Sequence, residues 1–90
     1  MARTFTGTSA NAAATLTITG NDTDEVYVKN TGSNALAVSV PVIHGTDFDV
    51  IAAGDTEYYG SNTVIDSIDV KSSVTDSHTT YTAGVTRGNA

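Results

Sequence analysis

The chain has 90 residues, a formal net charge of −6, one proline, no tryptophan and no cysteine. This length allows one domain with a small core, and without cysteine no disulfide can hold that core together. Ten acidic residues against four basic ones exclude the basic face that nucleic-acid binding requires, and they disfavour an anionic membrane surface. The acidic excess predicts solubility and is also compatible with a halophilic protein, because molar salt screens self-repulsion.

The first 14 residues are small and polar, and they predict an extended N-terminal arm with a short strand at residues 3–6. Two interpretations of the arm stay open: slack chain, or a strand that docks on the sheet edge of a neighbouring molecule. We expect residues 15–87 to form the folded domain and residues 88–90 to fray. The candidate interface residues of the arm are Arg3, Thr4, Phe5 and Thr6.

Short segments of alternating apolar and polar residues follow the arm, separated by turn residues about every ten positions. Alternation predicts strands whose apolar side chains share the inner face of a sheet. The expected fold is all-β: one small antiparallel β-sandwich, immunoglobulin-like or jelly-roll-like, with seven or eight short strands. The predicted inward residues are Leu16, Ile18, Val26, Val28, Leu36, Val38, Val40, Val42, Phe48, Val50, Tyr81, Ala83 and Val85.

Three local irregularities carry further predictions. Pro41 falls on the outward side of the strand predicted for residues 35–42, so we expect that strand to be an edge strand or to be bulged there. Ile65 and Ile68 share an inner face only if a β-bulge or sharp bend lies at residues 66–67. Tyr58 and Tyr59 point to opposite faces of a strand, which predicts one ring in the core and the other as an interface anchor.

The residues with catalytic or metal-binding potential are few. His44 and His78 stand at strand ends, where we expect surface histidines; they would bind a metal only if the fold brought them together. Asp47 and Asp49 lie two apart in a strand and so share a face, which leaves a hard cation as a minor alternative to simple solvation. We therefore expect no enzyme, no cofactor and no metal.

One long stretch resembles a known family. The segments Val26–Asn34, Ala52–Thr56 and Ile65–Ser72 are similar to small β-sandwich structural proteins of tailed bacterial or archaeal viruses, which carry a Val-x-Val-Lys-Asn-Thr-Gly-Ser-Asn hairpin, an Ala-Gly-Asp turn and an Ile-x-x-Ile-x-Val-Lys-Ser strand. The sequence departs from that pattern with Ala52 and Ala53 where a proline is common, and with the Tyr58-Tyr59 pair.

The resemblance implies a virion protein made in the host cytoplasm: a capsid decoration or cement protein that binds the major capsid protein or another virion protein. It also implies a homo-oligomer, with a trimer as the expected form. Two alternatives remain, namely a tail, head–tail connector or fibre component, and a host- or glycan-binding module. The glycan-binding alternative requires an exposed aromatic platform.

Overall fold

The computed structural model describes residues 4–18 and 24–87, without the side chain of Arg87. The expectations for Arg3 and for residues 88–90 lie outside these residues. Within the described ranges, no helix is long and apolar enough to cross a membrane. The elements are β1 (Thr4–Thr8), β2 (Ala14–Thr17), β3 (Glu25–Asn30), β4 (Leu36–Ser39), α1 (Pro41–His44), β5 (Asp49–Ile51), β6 (Thr56–Gly60), β7 (Ser67–Ser72) and β8 (Thr80–Arg87).

The strands form two antiparallel sheets of four strands each. Sheet A has the order β1-β8-β3-β6, and sheet B has the order β2-β7-β4-β5. The prediction of a small all-β sandwich is thereby confirmed. The chain crosses from one sheet to the other between β1 and β2, between β3 and β4, between β5 and β6, and between β7 and β8. Because neighbouring strands run antiparallel, all four of these crossings lie at one end of the sandwich, which we call the arch end.

The core lies between the two sheets and consists mainly of valine and isoleucine. Each sheet supplies the inward half of an alternating strand, as the period of two requires. The predicted inward positions of β2, β3 and β8 are confirmed. The buried core residues are Ile18, Val26, Val28, Leu36, Val38, Val40, Ile51, Tyr59, Ile65, Ile68, Val70, Tyr81, Ala83 and Val85, with Phe5 and Leu16 packed against them.

The turn at residues 31–35 does not close a hairpin, so the hairpin expected from the resemblance is wrong. It carries the chain from β3 in sheet A to β4 in sheet B. Both strands are central in their sheets, and their apolar faces meet across the core. Val28 and Val38 are each fully buried in this way. A hairpin would instead place the two strands side by side in one sheet, with their buried faces on the same side of it.

The strand predicted for residues 35–42 ends early. β4 stops at Ser39, and Pro41 begins a four-residue helical turn in which His44 N–H donates to the Val40 carbonyl at 2.7 Å. Proline suits the first position of a helix because its φ is preset and its missing N–H would be unpaired there. Val42 therefore turns outward and is 46% exposed, so its predicted inward orientation is wrong.

Phe48 and Val50 share a face as predicted, but it is the outer face of sheet B. The register pairs Ile51 with Leu36, whose side chain is buried in the core, so Val50 opposite Ala37 must point away from the core. Val50 is 57% exposed. The Phe48 ring packs against Lys71, with the ammonium nitrogen 4.3 Å from the ring centroid.

Of the two predicted explanations for the parity slip at residues 66–67, the structure excludes a β-bulge within the strand. Ile65 and Ile68 are both fully buried, as expected. However, β7 begins only at Ser67, so Ile65 precedes the strand, and β7 pairs with β2 without a register shift. A register shift does occur between Glu25 and Val26, where β3 pairs with β8.

Residues 4–14 are part of the sandwich, which corrects the prediction of a separate arm. β1 pairs along its full length with β8, and β2 starts at Ala14. The pairing places Gly7 opposite Tyr81, whose ring lies so close that a Cβ on Gly7 would be 2.8 Å from the phenol oxygen. Ser9 is buried at the end of β1, where its N–H donates to the Thr79 carbonyl at 2.8 Å. These contacts hold the segment on its own domain.

Candidate interaction site

The two histidines have structural contacts and lie apart. His44 accepts a hydrogen bond at Nδ1 from Val40 N–H at 2.9 Å, and its ring meets Tyr59 edge-on with centroids 5.1 Å apart. His78 precedes β8 at the arch end, whereas His44 follows β4 at the opposite end of the sandwich. The two-histidine metal site therefore does not form. No group of three potential metal ligands occurs among the described residues.

Asn30 is the centre of a polar network at the arch end. Its fully buried amide nitrogen donates to the carbonyls of Asn34 at 2.7 Å and Ile51 at 2.9 Å. Its amide oxygen accepts from Gly32 N–H at 3.2 Å and from the Thr79 hydroxyl at 2.8 Å. The side chain thus uses both donors and both acceptor sites, which is what a buried amide needs. The Asn-Thr-Gly motif behind the viral resemblance is therefore a structural device.

A second network joins β1, β7 and the segment before β8. Thr79 N–H donates to Ser9 Oγ at 2.9 Å, Ser9 Oγ lies 2.8 Å from Ser72 Oγ, and Ser72 Oγ lies 2.7 Å from Nδ1 of His78. A serine beside a histidine is the arrangement of an activated nucleophile. Here both serines are buried, and their hydroxyls are occupied by this network. The arrangement ties three chain segments together and leaves Ser72 inaccessible to a substrate.

The two residues of the predicted carboxylate pair do not lie in one strand, because β5 begins at Asp49 and Asp47 precedes it. Asp49 accepts a hydrogen bond from the Tyr59 hydroxyl at 2.8 Å and a second from Val50 N–H at 3.1 Å. Burial is the main cause that raises the pKa of Tyr59, and the hydrogen bond to Asp49 and its negative charge raise it further. Burial also raises the pKa of Tyr81. The Asp49 carboxylate therefore accepts a hydrogen bond from a phenol that keeps its proton at neutral pH.

The two adjacent tyrosines of β6 divide as predicted between core and surface. Tyr59 is 8% exposed, whereas Tyr58 is 65% exposed on the outer face of sheet A. Cross-strand pairing sets Tyr58 opposite Tyr27, with ring centroids 6.3 Å apart and planes tilted by 43°. The sequence assigned Tyr27 to the outward side but gave no sign of this pairing, because strand order is not written in local alternation.

The rest of that outer face is uncharged except at two positions. Among its described side chains, Lys29 and Glu25 are the charged ones, and the Thr86 hydroxyl donates to the Glu25 carboxylate at 2.7 Å. Charged residues make up 16% of the whole chain, a share similar to that on this face, so the paired tyrosines and the threonines are what distinguish it. We call this surface the A face; its other members are Thr4, Thr6, Thr8, Tyr27, Thr56, Tyr58, Thr80 and Thr82.

The candidate interface residues of the sequence fall in three environments. Thr4 and Thr6 are exposed on the A face, next to β8 and away from Tyr58. Phe5 and Tyr59 point inward and pack on the core, so their first role is to stabilise the fold. Tyr58 is the candidate with the side chain best placed for contact. No protein-family model and no curated protein matches this sequence.

Proposed function

We propose that this chain is a non-enzymatic virion structural protein: a capsid decoration or cement protein that binds the outer shell and stabilises it. The A face is the observation that carries the proposal. Protein interfaces are enriched in tyrosine. The A face joins Tyr58 and Tyr27 to a field of threonines in a protein of net charge −6. Its partner is the major capsid protein or another virion protein.

The rigidity of the sandwich supports a mechanical role. The networks around Asn30 and Ser72 fix all four crossings at the arch end, so little chain entropy remains to be lost on docking. A protein that binds the assembled shell, but not its separated subunits, stabilises the assembly by mass action. Many weakly bound copies would add up to a large effect on one particle.

The sequence resemblance supports the proposal through the fold. The motif residues Asn30 and Gly32 stabilise the turn between β3 and β4. A small β-sandwich with this turn suits a structural protein that binds other proteins. The proposal accordingly places the protein in the virion, after synthesis in the host cytoplasm, and assigns it no cofactor.

A host- or glycan-binding module is the second candidate, and the Tyr27–Tyr58 pair favours it. Two neighbouring rings with nearby hydroxyl groups form the aromatic platform that such a module requires. The pair is small, however, and Tyr58 is 65% exposed on the outer face of a sheet, whereas small-ligand sites are usually clefts. We therefore rank this candidate below decoration.

Copy number in purified particles tests the proposal. Quantitative mass spectrometry would compare this chain with the major capsid protein of the same particles. Decoration predicts a count similar to that of the capsid protein. A few copies per particle would instead indicate a component of the tail, the connector or a fibre. Complete absence from the particles would refute the virion role.

A rebinding experiment tests the A face itself. Particles produced without this chain would be titrated with the wild type, with Tyr58→Ala and with the matched control Val74→Ala. Val74 is 59% exposed, like Tyr58, but it lies in the turn before β8. Loss of an aromatic anchor typically costs about 2 kcal/mol, so Tyr58→Ala should weaken binding roughly 30-fold and Val74→Ala should not. Equal binding by all three proteins would exclude the A face as the docking surface.

A further inference from the structure

Three of the five residues of β1 present their main-chain hydrogen-bonding groups to a side of the sandwich that the described residues leave open. β1 is the outermost strand of sheet A, with β8 as its neighbour. Ser9 N–H donates to the Thr79 carbonyl, and the same register continues through Gly7 opposite Tyr81. Hydrogen-bonded and non-hydrogen-bonded pairs alternate along antiparallel strands. The residues whose N–H and C=O groups point away from β8 are therefore Thr4, Thr6 and Thr8.

Among residues 4–18 and 24–87, this side of the sandwich lacks the usual protection of sheet edges. Natural edge strands carry charged residues, prolines or bulges, or they are very short, because free strand edges pair with other chains. β1 has the sequence Thr-Phe-Thr-Gly-Thr and β2, on the same side in sheet B, reads Ala-Thr-Leu-Thr. Neither strand contains a charge or a proline, and both pair with their neighbours without a register shift.

The opposite side of the sandwich does carry protection. There the outermost strands are β6 and β5. Glu57 of β6 pairs with Val28 and Asp49 of β5 pairs with Val38, so each carboxylate stands on the inner side of its edge strand. Inward-pointing charges are a known device against edge-to-edge pairing. In addition, β5 has only three residues. The difference between the two sides indicates that the edge on the β1 side pairs with another chain.

We propose that β1 pairs with β1 of a second copy of this chain, antiparallel about a two-fold axis, and joins the two A sheets into one continuous sheet. Thr6 would face Thr6 of the second copy, and Thr4 would face Thr8. These are the residues with outward main-chain groups, so every opposed pair can exchange two N–H···O bonds. A two-fold contact requires a self-complementary surface, and the Thr-x-Thr-x-Thr spacing provides it.

The side chains fit this pairing on both faces of the joined sheet. On the outer face threonine meets threonine, which is a favourable cross-strand pair. On the inner face Phe5 of each copy would lie opposite Gly7 of the other, beside the Tyr81 ring that already covers Gly7. Because the Tyr81 ring already occupies the space beside Gly7, the glycine leaves no gap opposite Phe5.

Charge favours the β1 side over the opposite side as the contact between two copies of this chain. Each chain carries a net charge of −6, and contact through the opposite side would bring Glu57 and Asp49 of one copy near those of the other. β1 and β2 contain no carboxylate. The contact therefore brings the chains together where their mutual repulsion is smaller than on the opposite side. This inference depends on the chain alone and holds whether or not the protein belongs to a virion; it replaces the expected trimer by a dimer.

Sedimentation equilibrium of the purified protein, from about 1 µM to about 1 mM, tests the inference. The key variant is Thr6→Pro. It removes an N–H that faces away from β8, so it deletes bonds of the proposed dimer and none within the sheet. The matched control is Thr56→Pro at the start of β6, where the main chain also faces away from its neighbour, β3. We expect a wild-type dimer, association about tenfold or more weaker in Thr6→Pro, and no change in Thr56→Pro.

Amide hydrogen exchange of the wild type gives an independent readout if Thr6→Pro does not fold. Protection of the Thr4, Thr6 and Thr8 amides should rise with protein concentration, while that of Tyr58, an outward amide on the other edge, should not. A monomer at about 1 mM or a trimer would overturn the inference, as would an unchanged dimer in Thr6→Pro or equal losses in both variants. These results are separate from particle copy number, so the dimer and the virion role fail or stand independently.

Discussion

The Tyr59 hydroxyl donates a 2.8 Å hydrogen bond to the Asp49 carboxylate and so joins β6 of sheet A to β5 of sheet B. The ring is 8% exposed and meets His44 on its edge. This contact joins the two edge strands on one side of the core. It also gives the Asp49 carboxylate, which stands on the inner side of β5, a hydrogen-bond partner. It also makes the ionisation of one phenol a reporter of folding.

Alkaline stability should depend on Tyr59. Its pKa is raised in the folded protein above the value of about 10 that it has in an unfolded chain, so the folded state keeps a proton that the unfolded state releases. The resulting stabilisation is complete below about pH 10 and is lost as pH rises from there through the folded pKa. We expect the free energy of unfolding, measured with urea at stepped pH, to fall above about pH 10.

Tyr59→Phe should make that fall less steep, and Tyr58→Phe is the matched control. Tyr59→Phe also loses the bond to Asp49, which should lower stability by about 1 kcal/mol at neutral pH. Tyr58 is exposed, so its variant should match the wild type at neutral pH. An unchanged alkaline profile in Tyr59→Phe would contradict the role assigned to the buried phenol.

Replacement of Asn30 should be among the most damaging polar substitutions in the chain. Asn30→Ala would leave the Ile51 carbonyl and the Thr79 hydroxyl without their partner in a buried place. The expected loss is about 2–4 kcal/mol of unfolding free energy by chemical denaturation. Asn34→Ala is the control, since its exposed amide makes one bond to the His78 carbonyl and should cost under about 1 kcal/mol. Similar losses in both variants would argue against Asn30 as the centre of the network.

Gly32 should tolerate no side chain because the backbone of another segment occupies the space. A Cβ at Gly32 would lie 2.7 Å from the Thr80 nitrogen and would also collide with the Thr79 hydroxyl. We expect Gly32→Ala to lower the unfolding free energy by about 3 kcal/mol or more, as overpacking does at its upper range. Gly60→Ala is the comparison: its Cβ would meet the Asp24 carbonyl at 3.8 Å, an ordinary contact. Thermal melts of the two variants should therefore differ widely.

Salt should stabilise the protein if its acidity reflects a saline habitat. At a net charge of −6 the folded chain repels itself, and about 1 M salt reduces the screening length to about 3 Å. We expect the thermal midpoint to rise between dilute buffer and about 1 M sodium chloride. A flat or falling midpoint would leave solubility as the only role of the excess carboxylates.

Alternation along the sequence was sufficient wherever a strand crosses the core as a regular element. The buried parity of β3 and β8 and the opposite orientations of Tyr58 and Tyr59 all follow from the two-residue period of a strand. Composition likewise implied an all-β domain with one small core. These features are local, because each depends on side chains that are neighbours in sequence.

Strand pairing, by contrast, depends on contacts between residues that are distant in sequence. The predictions that failed include those that required knowledge of this pairing. Alternation groups Phe48 with Val50, but only the register of β5 on β4 determines that they face solvent. Residues 31–35 have the composition of a tight turn, yet they cross between sheets because β3 finds its partners in β6 and β8. The Tyr27–Tyr58 pair and the position of β1 at the edge of sheet A likewise exist only once the strand order is set. The sequence by itself thus determined which residues form strands and which of them share a face, whereas the tertiary structure decided which face is buried and which edge remains open, since both depend on where the other strands lie.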